Sequence, residues 1–287
     1  MKKILIFGAA GMAGHVAATF LRNTGEYQVI RCARGVSEAA EVGVDITDSA
    51  KVLEVLRQYR PDYVLNCVGM LVAACAALPD QAILVNSYFP NYLAKLGEKL
   101  NFRLIHISTD CVFSGERGGY REDDFRDGDT PYARTKTLGE IIDGRNLTIR
   151  TSIIGPELKS DGTGLFHWFM RQHGVIRGYT QAFWSGVTTV ELSKAIHAAI
   201  QQNLTGLYQL TMPKKISKYE LLGLFRELWS REDITIEPYD GYFCDKSMTC
   251  TRRDFDYRLP VSYRVMLQEM KDWMSRHSTR YQGEELG

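Results

Sequence analysis

Several features that would settle a chain's class are missing here, and each absence narrows the reading. The six cysteines, Cys32, Cys67, Cys75, Cys111, Cys244 and Cys250, contain no Cys-x-x-Cys pair and have no histidines at zinc-ligand spacing, so no metal site is expected. Several lie inside apolar runs and read as reduced, packed thiols of a cytoplasmic protein. Met1-Lys2-Lys3 is basic, as a leader would be, but the apolar run Ile4 to Phe7 is too short for one and breaks at a glycine. No apolar run approaches the length of a membrane span. An excess of charge is missing too: 35 Lys and Arg against 34 Asp and Glu leave a net charge of +1. Binders of nucleic acid or membrane surfaces rely on clustered cations, so neither is expected as a partner. No internal repeat or low-complexity linker divides the 287 residues, 45% of them apolar, so one large domain or two small ones is expected.

What is present begins at once. Ile4-Leu5-Ile6-Phe7 is a fully apolar strand, followed by Gly8-Ala9-Ala10-Gly11-Met12-Ala13-Gly14 and a helical run from His15 to Leu21. Glycines elsewhere usually mark a flexible turn. Between a strand and a helix they allow a tight turn, backbone approach to a pyrophosphate and close helix packing, with the helix amides facing the phosphates. Gly8, Gly11, Met12 and Gly14 are therefore candidate contacts of a dinucleotide. The second strand, Tyr27 to Ala33, ends in Arg34, where an acidic residue would take ribose hydroxyls. Arg34, with Arg31, suits the 2′-phosphate of NADP(H), which is preferred over NAD(H); the bland alternative is a pair of solvent-facing arginines. Asp45 and Ile46, at the end of a short strand, are placed to touch the adenine. Ser49 to Tyr59 reads as a helix capped by Asp48 or Ser49. The buried run Tyr63 to Gly69 brings Cys67, Val68 and Gly69 to the same edge. A helix is expected from about Gln81 to Lys99, in which Asn86 serves either packing or the site.

The run Leu104-Ile105-His106-Ile107 has the character of a buried strand, and Ser108-Thr109 places two hydroxyls at its end. Open parallel sheets bind ligands there. Tyr132 and Lys136 stand four apart in a segment, Tyr132 to Gly144, that follows Pro131 and reads as helix, so they share a face. Alone, such a pair is usually an amphipathic edge with a solvated ammonium. In this company it reads as a proton-delivery device: reducing a ketone needs a hydride and a proton, and a nearby ammonium draws the tyrosine towards working pH. Thr109 would polarise the carbonyl oxygen, with Ser108 the alternate. Leu147 to Arg150 continues the sheet and brings Thr151 and Ser152 to the same end. From Gly155 to Gly186 the chain is irregular and aromatic, with Trp184 a candidate platform for a nucleotide base, although such rings more often pack in cores. Helices are expected over Val190 to Gln202, Lys218 to Arg231 and Tyr263 to Arg276, with a strand over Gly206 to Thr211 and a fraying tail from Ser278 to Gly287.

The expected fold is α/β, a Rossmann-like doubly wound parallel sheet over residues 1–153. Residues 154–287 form mainly a smaller substrate-binding lobe, with room for one segment to return to the sheet.

With the glycine turn, Ser108-Thr109-Asp110-Cys111-Val112-Phe113-Ser114-Gly115 and Tyr132-x-x-x-Lys136 in order, the chain resembles the extended short-chain dehydrogenases/reductases, and within them the dTDP-4-dehydrorhamnose reductase family. Trp184-x-Gly186-Val187-Thr188-Thr189 is similar to its substrate-lobe signature. The resemblance, spanning roughly Lys3 to Trp273, implies Thr109, Tyr132 and Lys136 as catalytic residues, beside which Ser108, Thr151, Ser152 and Trp184 are the candidate substrate contacts read from the chain itself. It also implies a nucleotide-linked 4-keto-6-deoxysugar as substrate, in deoxysugar and cell-surface polysaccharide synthesis, and a homodimer. The run Met70 to Cys75 is more apolar than in typical members and Cys67-Val68-Gly69 replaces a small-small-Tyr, so the sugar and the nucleotide, dTDP or UDP, stay open. Related dehydratases carry Asp-Glu after the threonine, whereas Asp110 is followed here by Cys111. Two alternatives remain: an epimerase of the same fold, and a non-catalytic NAD(P)-binding regulatory subunit.

Overall fold

The computed structural model describes residues 1–281. Six strands, β1 (Lys2–Phe7), β2 (Tyr27–Ala33), β3 (Val42–Gly43), β4 (Tyr63–Asn66), β5 (Arg103–Thr109) and β6 (Leu147–Thr151), join the later strand Gly206–Gln209 in one sheet. The order across it is β3-β2-β1-β4-β5-β6 and then Gly206–Gln209, every pairing parallel. The sheet reverses direction of growth beside β1, which is where a doubly wound fold opens its crevice.

The unbroken apolar strands follow from burial on both faces. On β1, Ile4 and Ile6 belong to one core cluster with Val16 and Leu21 of α1 (Met12–Asn23) and Ile196 of the helix Thr189–Gln201. Leu5 and Phe7 point the other way, into a second cluster with Val52, Val55 and Leu56 of α2 (Ser49–Tyr59) and with Phe89 and Leu93. Each such side chain, 0% exposed on β1, stabilises the fold by roughly 1.5–3 kcal/mol relative to remaining in water. Asp48 caps α2 by accepting the Lys51 amide at 2.9 Å.

The segment expected as one helix from Gln81 is three pieces: Pro79–Ala82, a π turn at Ile83–Tyr88 and the helix Phe89–Leu100. Pro90 has no N–H to give the Asn86 carbonyl, so the preceding turn widens and Phe89 N–H bonds back to Leu84. A helix at Val72–Ala77 precedes it. The Tyr132 helix is shorter than expected, Pro131–Leu138. It stops where Gly139 crosses the Asn86 carbonyl so closely that a Cβ there would lie 1.9 Å from the oxygen.

Beyond β6 the chain builds small sheets. In one, Ala182–Trp184 pairs with Ile216–Ser217 on one side and Cys244–Asp245 on the other. The helix Thr189–Gln201 packs on α1 before the chain adds Gly206–Gln209 to the sheet edge. The final helix covers Tyr263–Arg276 as expected. Ser278–Arg280 is a 3-10 turn that buries Tyr281 instead of fraying, and the remainder of the expected tail lies outside the described residues. Among the described residues no helix is long and apolar enough to cross a membrane, and no group of His, Cys, Asp and Glu could hold a metal ion.

Candidate active site

The glycine turn is pressed between two strand ends. Gly8 has φ +81°, and a Cβ on it would sit 3.0 Å from both the Cys67 carbonyl carbon and the Val68 nitrogen. A Cβ on Gly14 would lie 2.1 Å from the Gly8 oxygen. Backbone thus lies on backbone, and α1 begins directly after Gly11 with no side chain capping its first amides. Uncapped amides at the positive end of a helix dipole fit the pyrophosphate of a dinucleotide. Met12, first in α1, reaches Gly164 in the second half of the chain. His15 bonds through Nδ1 to the Gly11 carbonyl at 2.8 Å and through Nε2 to the Tyr281 hydroxyl at 3.1 Å. Burial pulls that imidazole down to about 4.

At the end of β2, Arg34 is exposed beside Asp45. The Asp45 carboxyl is held below its usual range chiefly by the Thr47 amide and hydroxyl, with Arg34 adding less. Arg31 does not join Arg34: its Nε lies 2.6 Å from Glu41 and its Nη1 2.7 Å from the Glu38 carbonyl. Ile46 is half-buried on the second core cluster. After β4, Val68 N–H donates to Asn66 Oδ1 at 3.1 Å, and burial pushes the Cys67 thiol up to about 12. Gly69 faces Asn86, which accepts from the Met70 amide and donates to Thr135 on the Tyr132 helix. Asn86 therefore brackets the post-β4 loop to that helix.

At the carboxyl end of β5 the sequence's central group comes together. The Thr109 hydroxyl accepts from the Cys111 amide at 3.1 Å, donates to Asp110 Oδ1 at 3.2 Å and lies near the Tyr132 phenol. Lys136, 4% exposed, donates to the Ile107 carbonyl at 2.8 Å. The electrostatics differ from the expectation that Lys136 lowers the tyrosine. Burial first, then the Cys111 thiol, push the Tyr132 phenol well above its usual range, against a lowering hydrogen bond with Thr109. Burial pulls Lys136 down to about 8, opposed mainly by Glu140.

Sequence reasoning missed Glu140, although it stands four residues after Lys136. Its carboxylate accepts from Ser108 Oγ at 2.7 Å, from Arg150 Nε at 2.9 Å and Nη2 at 2.8 Å, and from Arg126 at 2.9 Å. That bond corrects the role expected of Ser108: strand alternation turns it away from Thr109, into this network. Thr151 is 2% exposed, with its hydroxyl on the Ser152 carbonyl at 3.3 Å. Ser152 is half-buried and its carbonyl accepts from Val187 N–H at 2.9 Å. Trp184, 3% exposed, is a core ring against Tyr263, not an open stacking platform. Its upper face carries the Lys218 ammonium, 5.7 Å from the ring centre. Lys218 and Lys246, also missed, both face Asp110 and Cys111. A cavity of about 510 Å³ lies at the opposite edge of the sheet, by Lys2, Tyr63, Arg103 and Arg145. Those arginines are spent on main-chain carbonyls, and it is remote from this group.

The chain is similar to several known reductases. The probable low-salt glycan biosynthesis reductase Agl14 of Haloferax volcanii is 35% identical over 143 residues, 47% of this chain and 46% of that protein. The dTDP-4-keto-6-deoxy-D-glucose reductase of Streptomyces niveus is 28% identical over 254 residues, 82% of this chain and 81% of that protein. The first curated relatives are matched over only about half their own length, from 46% to 51%. The fold is shared with a dTDP-4-dehydrorhamnose reductase from Bacillus anthracis solved in complex with NADP, at TM-score 0.72 and 21% identity over 84% of each chain. The profile of the RmlD substrate binding domain matches residues 1–241, so the chain belongs to that family.

Proposed function

We propose that this protein reduces the 4-keto group of a nucleotide-linked deoxysugar with NADPH, in the synthesis of deoxysugars for surface polysaccharide. The observation that carries the reading is that the Tyr132 helix is tied to the end of β5, near Thr109, by Lys136, which is buried one helical turn from Tyr132 and donates to the Ile107 carbonyl. The reductase names of the relatives support it, and NADP in a related structure supports the cofactor class.

A bound reduced nicotinamide supplies the hydride. The chain's part is to hold the reacting group and manage one proton. A phenol pushed up by burial keeps its proton until the ketone oxygen gains negative charge, which suits Tyr132 to donate in the reductive direction. Thr109 holds that oxygen by a hydrogen bond as the charge develops. Lys136 keeps a positive charge under the pair, and its bond to Ile107 fixes the helix against β5. Gly8, Gly11, Met12 and Gly14 hold the pyrophosphate, while Arg34, exposed where an acid would favour NAD(H), takes the 2′-phosphate. A second copy of the chain is the proposed partner, for which the exposed Leu71, Val72, Ile83 and Leu84 supply an apolar face.

The test follows NADPH and NADH oxidation by purified protein on a panel of dTDP-, UDP- and GDP-linked 4-keto-6-deoxysugars, beside Tyr132→Phe. Turnover that drops by about 100-fold or more in the variant, with NADPH binding retained, supports the reading. Near-normal turnover in Tyr132→Phe sinks it.

A further inference from the structure

Lys136 and Glu140 are bound to consecutive residues of one strand. The Lys136 ammonium donates to the Ile107 carbonyl at 2.8 Å, and the next residue, Ser108, donates its hydroxyl to Glu140 Oε1 at 2.7 Å. Between the two the chain turns out of the helix, with the Gly139 and Glu140 amides donating back to the Lys136 and Thr137 carbonyls. That turn, together with the close passage of Gly139 over the Asn86 carbonyl, holds the Glu140 side chain on the strand that also holds the ammonium.

The Glu140 side chain is 0% exposed, yet it is ionised. Burial alone would push its carboxyl up, but the bonds and charge of Arg150, with the bonds of Ser108 and Arg126, hold it below its usual range. Arg150 is fixed in turn by Gln209, whose amide donates to the Tyr120 and Thr249 carbonyls, so the carboxylate sits in a rigid frame. The other titratable groups that bear on Lys136 are uncharged at working pH. Burial pushes the Cys67 thiol up to about 12, pushes Cys75 up as well and pulls the His106 imidazole down. Glu140 is thus the one carboxylate, among the described residues, whose charge bears on this ammonium. A buried ammonium without a counter-charge gives up its proton.

We propose that Glu140, which touches no reacting atom, is a positioning residue of the reaction: its carboxylate, locked by Ser108 and Arg150, is the counter-charge that keeps Lys136 an ammonium beneath Tyr132. For its effect on turnover the inference rests on the reductase reading. Its effect on Lys136 does not.

The experiment follows that ammonium directly. The full chain, grown with lysine labelled with carbon-13 at Cε, is titrated by NMR, and the Lys136 signal is the one missing from Lys136→Met. In wild type it titrates at about 8. Glu140→Gln keeps an oxygen for Ser108 and Arg150 but loses the charge, and should move that midpoint down by about one pH unit. Mere loosening of the fold would move it the other way, because water admitted to a buried ammonium favours the charged form. Under the reductase reading the alkaline limb of kcat/KM moves down with the midpoint, a loss of about fivefold at about pH 8, while KM stays within about twofold. A Lys136 midpoint that stays or rises in Glu140→Gln overturns the proposal, and so does a kcat/KM limb that stays while the midpoint falls. A wild type that turns over no 4-keto sugar sinks only the reductase reading, and the NMR titration then decides on Glu140 by itself. If Glu140→Gln does not fold, Arg126→Gln decides, since Arg126 is only half-buried and its loss strips one cation from the carboxylate. The Lys136 midpoint should then rise by about half a pH unit; no movement, or a fall, overturns the proposal.

Discussion

Lys136 donates its ammonium proton to the Ile107 carbonyl at 2.8 Å, so the helix carrying Tyr132 is tied to the strand carrying Thr109 by the residue that charges the site. The tie joins neighbours in space 29 residues apart in sequence. It also makes one lysine answerable for both position and potential.

Burial pulls Lys136 from its ordinary 10.5 to about 8, so the ammonium is lost as pH rises through that value. Turnover that needs it should fall above about pH 8, with kcat/KM dropping about tenfold per further pH unit. The stability effect has the opposite sign. Between about 8 and 10.5 the unfolded chain binds more protons at this residue than the folded one, so its contribution to stability rises with pH there. A kcat/KM profile flat to about pH 9.5 would show that the charge on Lys136 is not required.

Arg34→Ala should weaken NADPH by about tenfold or more and leave NADH nearly unchanged, because a guanidinium at the end of β2 distinguishes the two cofactors only through the 2′-phosphate. Arg31→Ala should not reproduce this, since Arg31 is bonded to Glu41 and Glu38. Fluorescence titration with each cofactor decides; equal losses for both in Arg34→Ala refute the assignment.

Glu140→Ala leaves Arg150, 0% exposed, without its carboxylate and should cost about 3–5 kcal/mol of stability. Urea unfolding of the variant measures it. A loss below about 1 kcal/mol would mean that Gln209, which accepts from Arg150 Nη1 at 3.0 Å, compensates the charge unaided.

The parts of the site that could be read from sequence are those where one local period fixes direction. The apolar run of β5 ends at Thr109, and four-residue spacing puts Tyr132 and Lys136 on one helix face, so neither needed a long-range contact. The parts that could not be read depend on neighbours far along the chain. Trp184 reads as a platform until Tyr263, 79 residues later, closes over it with a hydrogen bond to its carbonyl. Ser108 reads as a substrate hydroxyl until Glu140 turns in beneath it. Lys218 and Lys246 sit in ordinary polar surroundings by sequence, and only the small sheet around Ala182–Trp184 brings them to one corner. The π turn at Ile83–Tyr88 escaped for another reason: Pro90 was visible, but the close passage of Gly139 over the carbonyl it frees was not.

The bond from His15 to Tyr281 spans 266 residues and joins the helix that follows the glycine turn to the last described residue. On a ribosome the turn is made before its buttress. The helix that follows the glycine turn therefore waits without that bond while the intervening chain is made, and a chain stalled short of Tyr281 would expose the His15 imidazole that the folded protein keeps 3% exposed.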